Sequence, residues 1–236
     1  MHTMRRANRW AALAAGMIAT ATVGAGAAEA QPAPARPTAI ECAAAFGEVA
    51  TLPAIDYGTR FVRAVERGGK FGTQCFGSGQ LTSMLFTEGA TGGVWTQTGA
   101  EAGWGELHIS YVRGAGETLD VTVLLGGRPG SGWGAVTEAR VGGIRGPVSS
   151  YAATLVAAWN RGDRASAARL AESSVVAALW AHGNPGKDWR VDTLTARRGF
   201  TVVSISSRSG ERAELLINAA AVAREHGQAV KAVAFG

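Results

Sequence analysis

Slid over itself, the sequence matches in one register, 94 residues apart and without a gap to the C-terminus, so residues 61–70 fall on 155–164. Identical pairs include Tyr57/Tyr151, Val62/Val156, Arg67/Arg161, Gly68/Gly162, Leu85/Leu179, Trp95/Trp189, Gly116/Gly210 and Glu117/Glu211. Trp and Tyr are scarce residues, so their coincidence counts against chance. Elsewhere the exchanges keep apolar character, as in Leu81/Val175, Phe86/Trp180 and Val123/Ile217. A repeat constrains the fold directly, because whatever the first copy forms the second must form too. The expectation is two homologous domains, 57–142 and 151–236. They are joined by a linker at 143–150, where the Gly142-Gly-Ile-Arg-Gly-Pro147 stretch punctuates the chain.

Periodicity supplies the elements. Tyr151, Leu155, Val156 and Trp159 recur at helical spacing, and Gly162 suits the end of that helix. Asp163 can cap a second helix over the Ala-rich 165–171, and Ser173 or Ser174 can restart a third beneath Val175, Val176 and Leu179. After the Asn184-Pro-Gly turn the period falls to two. In the first copy Leu107, Ile109 and Tyr111 alternate with polar residues, Gly114-Ala-Gly116 turns, and Leu119, Val121, Val123 and Leu125 alternate again, which is a β-hairpin. Closing strands are expected at 135–141 and 229–235. Helices followed by antiparallel strands make an α+β domain with the helices on one face of the sheet.

The 30 residues before the Pro-rich stretch read as a secretory signal: Arg5, Arg6 and Arg9, an Ala-rich apolar run, then Ala28-Glu29-Ala30, with cleavage expected after Ala30. A transmembrane anchor is the competing reading of a run this long, but Ala, Gly and Thr gain little in lipid. Residues 31–56 are expected to be a Pro/Ala-rich spacer and N-terminal extension. A secreted or cell-envelope location follows. In that oxidising setting the only two cysteines, Cys42 and Cys75, are expected to form a structural disulfide. Without the leader the chain keeps 20 basic and 17 acidic residues, too even a balance for a nucleic-acid partner. No later segment is long and apolar enough for stable membrane insertion. Charge is unevenly shared: residues 57–142 are neutral and 151–236 carry +4, with Arg190, Arg197, Arg198, Arg208 and Arg212 along the second sheet.

Motifs for chemistry are sparse. Gly77-Ser78-Gly79 lacks the flanking glycines of a nucleophile elbow. His108, His182 and His226 have no i, i+4 partner for a metal, and no phosphate-binding glycine motif occurs, so no cofactor is expected. Carboxylate pairs such as Glu211/Glu214 and Asp188/Asp192 fit solvated faces better than an acid–base dyad. Trp95 and Trp189 open the strand half of each copy. Trp104 and Trp133 have no aromatic counterpart, since Arg198 and Gly227 stand there, which makes them candidates for contact with a partner.

The stretch Ala158-Trp-Asn-Arg-Gly-Asp163, followed by the Ala-rich helix, resembles the opening helices of the ketosteroid-isomerase-like (nuclear transport factor 2-like) superfamily. The tandem arrangement, with its Ala, Gly and Arg-heavy composition, is also similar to secreted actinobacterial proteins. The resemblance implies a pocket between helices and sheet, lined here by Tyr151, Trp159 and Trp189, with Glu88, Glu172 or His182 where an enzyme's acid or base would be sought. None of these three recurs in both copies. The leading expectation is therefore a non-enzymatic binding protein whose partner is an extracellular protein or envelope component. Its candidate contact residues are Trp104, Trp133, Tyr151, Trp159 and Trp189, and an isomerase-like pocket domain is the alternative.

Overall fold

Local physical chemistry sets where the elements begin and end. The computed structural model describes residues 37–47, 52–114, 116–125, 133–183, 188–197 and 200–236. The signal segment, the Asn184-Pro-Gly turn and Arg198 lie outside them. Among the described residues four helices come first: α1 Ala39–Phe46, α2 Ala54–Glu66, α3 Lys70–Phe76 and α4 Gly79–Thr87. The strands β1 Thr96–Gly103, β2 Glu106–Arg113, β3 Glu117–Leu124 and β4 Val136–Gly142 follow. The order then recurs as α5 Pro147–Asn160, α6 Arg164–Leu170, α7 Ser173–His182, β5 Arg190–Arg197, β6 Phe200–Ser206, β7 Arg212–Ile217, the short α8 Ala219–Ala223, and β8 Val230–Phe235.

Asp163 caps α6 by accepting the Ser166 N–H at 3.0 Å, and the Ser166 hydroxyl together with this backbone bond holds its carboxyl below the usual aspartate range. The helix α5 starts at Pro147, inside the stretch that reads as linker, because proline lacks the N–H that would go unpaired in the first turn of any helix. The helix α1 occupies part of the expected spacer. Thr38 and Glu41 satisfy its first turn reciprocally, and Cys42 joins Cys75 of α3 across 33 residues. That closure removes about 3–4 kcal/mol of unfolded-chain freedom in the loop-entropy picture.

The 94-residue spacing extends to the hydrogen bonds. The Tyr57 hydroxyl donates to Phe76 O on α3 and accepts from Ala135 N at the start of the closing strand. Tyr151 does the same with Leu170 O and Ala229 N, 94 residues on in every case. The β1–β2 register slips between Gln97 and Gly99, and β5–β6 slips between Val191 and Thr193. The slip before Val123↔Val136 is matched by the one before Ile217↔Val230.

The strands form one sheet rather than one sheet per domain. Its order is β1 through β8, all antiparallel, because β4 pairs with β5 through Arg140↔Thr195, Val141↔Leu194 and Gly142↔Thr193. One hydrophobic cluster runs through both halves, and residues 37–236 belong to a single unit. The separate domains of the sequence reading thus share both sheet and core. Glycines crowd this point: a Cβ on Gly142 would strike the Thr118 hydroxyl of β3 and lie 3.2 Å from Asp192 O of β5, and Gly143, at φ +72°, lies against the backbone of Gly116.

Replacing Tyr57 by Phe leaves Phe76 O and Ala135 N without this partner in a buried setting and is expected to cost about 1–3 kcal/mol. Tyr151→Phe, at a half-buried site, should cost less. Urea denaturation of the two variants checks both the loss and the order.

Candidate functional site

The aromatic residues singled out in the sequence do not meet at one place. Trp159 and Trp189 are 1% and 4% exposed and pack on each other with ring centroids 5.1 Å apart, alongside Phe235 and His182. The Trp159 ring N–H donates to Leu179 O. Tyr151 is engaged in its backbone bridge. The space that the resemblance would make a pocket is therefore filled by these side chains themselves.

Trp133 is 7% exposed, packed against Phe76 at 5.4 Å and Phe46 at 6.3 Å. It has no counterpart in the second half because Phe46 belongs to α1, which precedes only the first. A residue that one copy keeps alone is here a core adjustment rather than a contact residue.

The candidate acids and base are also held by the fold. Glu88 is 1% exposed, and its two carboxylate oxygens accept the N–H groups of Val148 (2.9 Å) and Ser149 (3.1 Å), capping α5 from 60 residues away. This is the favoured place for a carboxylate on a helix. Glu172 pairs with Lys231 at 2.9 Å. The His182 ring stacks on Phe235 at 3.8 Å, with Nε2 3.8 Å from Glu211. His108 sits on the polar face of β2, its Nδ1 3.1 Å from the Thr122 hydroxyl. Ser78 is a helix cap that accepts the Leu81 N–H. Among the described residues no cluster of three His, Cys, Asp or Glu side chains is placed to hold a metal ion, and no helix is long and apolar enough to cross a membrane. Arg190, Arg208 and Arg212 are exposed, with Arg190 3.5 Å from Asp192.

A cleft opens where the two halves meet. The helix α4 crosses onto β5 and β6, and between them lies an open cavity of about 160 Å³. Met84, Val148, Ala196, Phe200, Ala219 and Ala220 supply its apolar wall, and Ser83, Thr87 and Thr201 supply hydroxyl-bearing side chains. Glu88 lies at its margin with both oxygens already committed to α5. An apolar cavity of ~150 Å³ accommodates a benzene ring, which sets the size of group this cleft can take. None of these wall residues stood out in the sequence. The usable signal was the exchange Glu106/Phe200, a charged residue in one copy and an aromatic in the other at a position of equal strand register.

Trp104 alone among the five aromatic contact candidates is exposed, at 96%. It and Gly105 form the two-residue turn between β1 and β2, with φ +50° and +82°. Such a turn needs positive φ at both positions, which suits Asn-Gly and strains Trp.

Trp104→Asn is expected to raise stability by about 1 kcal/mol in urea denaturation, since it relieves a left-handed backbone without removing packing. Glu88→Ala should lower it by about 1–3 kcal/mol, by stranding two buried N–H groups at the start of α5; amide exchange at Val148 and Ser149 should rise in parallel. Comparison with protein-family models, curated proteins and solved structures finds no match to this chain.

Proposed function

We propose that this chain is an exported, non-enzymatic binding protein built from a duplicated α+β unit. On this reading it receives a ring-sized apolar group of an extracellular or cell-envelope component in the cleft between α4 and the β5–β6 hairpin. The observation that carries the proposal is the cleft itself: an open, mostly apolar cavity of about 160 Å³ at the seam of two halves whose own cores are filled. Apolar clefts with a few polar groups at the rim are the usual form of small-group binding sites.

Three further observations support it. The recurrence of the Tyr57 and Tyr151 bridges, and of both register slips at the same offset, supports descent from one copied unit with the helix-then-sheet order of the ketosteroid-isomerase-like superfamily. The Cys42–Cys75 disulfide is consistent with an oxidising compartment and so with cleavage of the leader after Ala30. The engagement of Glu88 by α5 and of Glu172 by Lys231 supports binding rather than acid–base catalysis.

Met84 is the one methionine after residue 30 and lies in the cleft wall, so its methyl group is a selective probe. Titration with benzene or indole should shift the Met84 methyl resonance saturably, with a dissociation constant of about 1 mM for so small a probe. Ala196→Phe fills the cleft and should abolish the shift at unchanged stability. A methyl signal indifferent to tens of millimolar probe, at about 10 times that constant, or equally responsive in Ala196→Phe, would overturn the proposal.

A further inference from the structure

The seam within the chain has two sides, and each has a counterpart left at a free end. On one side stand β4 and α4; 94 residues on, their counterparts are β8, the last strand of the sheet, and α7. On the other side stands β5; its counterpart is β1, the first strand. What is buried at the seam is uncovered at these ends. Val141 is fully buried, while its counterpart Phe235 is only partly so. Leu194 is 1% exposed, while its counterpart Ala100 and every other residue of 96–102 are exposed. On α7, Ala177 and Ala181, which correspond to Ser83 and Thr87 of the cleft, face solvent.

We infer that this chain binds a second copy of itself head to tail, the β8 and α7 end of one molecule docking on the β1 edge of the next. The occupant is fixed by continuity: the chain already makes this joint once, between β4 and β5. The expected register repeats the internal one, with Ala234 opposite Glu101, Phe235 opposite Ala100 and Gly236 opposite Gly99. An eight-residue edge strand with a single charge, Glu101, and no proline offers little to prevent such pairing. Both faces are trimmed to small side chains, Gly99, Ala100 and Ala102 on the strand and Ala177, Ala178 and Ala181 on the helix, so a helix can approach the sheet closely. The exchange of Leu194 for Ala100 and of Phe200 for Glu106 reduces the apolar area, which makes the joint reversible rather than permanent. The contact is heterologous, so it leaves a free end of each kind and can propagate.

The inference rests on the 94-residue correspondence and not on the cleft's ligand. Sedimentation equilibrium of the purified chain from about 1 μM to about 1 mM should show the average mass rising at least twofold. Ala100→Asp blocks the strand end and Ala177→Asp the helix end, both at exposed positions, and each variant alone should stay monomeric. Mixed in equal amounts they should form a dimer and nothing larger, since one retains a free helix end and the other a free strand end. Circular dichroism and thermal unfolding establish that both variants are folded. A wild-type mass that stays monomeric across the range, or a mixture that forms no dimer, would sink the inference.

Discussion

A four-stranded antiparallel sheet has two bare edges, and its helices cover only part of one face. The pairing of β4 with β5 removes one edge from each half and brings α4 over a strand it does not precede in its own half. Three residue pairs achieve this, at 140–142 and 193–195, and at Gly142 the absence of a Cβ leaves room for the Asp192 carbonyl of β5. The cleft and the continuity of the core lie along that contact, with the capping of α5 by Glu88 at the same seam.

Much of the architecture was legible because it rests on local rules. Alternation marked β2 and β3, and Asp163 marked the start of α6. The single offset of 94 residues, read from scattered identities, also governs hydrogen bonds that no sequence pattern encodes, such as the hydroxyl bridges of Tyr57 and Tyr151. Two helices escaped notice. The eight-residue α1 lies in a segment whose composition suggests a spacer, and α8 is a five-residue turn of alanines without an amphipathic pattern. The fusion of the sheets was not legible at all, because the pairing is made by backbone N–H and C=O groups, which every strand carries.

The candidate site was harder to read for a related reason. An unmatched aromatic is equally compatible with contact to a partner and with a local repair of the core. Trp133 is the latter: it fills the space beside Phe46 that the second half does not have. Trp159 and Trp189 fill what would otherwise be a pocket. The wall of the cleft is made mostly of small and ordinary residues, Ala196, Ala219, Ala220 and Val148, whose meaning comes only from where the halves meet.

A Cβ at Gly146 would collide with the backbone of Glu88, so only glycine is tolerated there once a preceding helix is stacked against α5. The matching position in the first half is occupied by a leucine, Leu52. Glycine at this one position thus lets the start of α5 sit directly on the C-terminal end of α4.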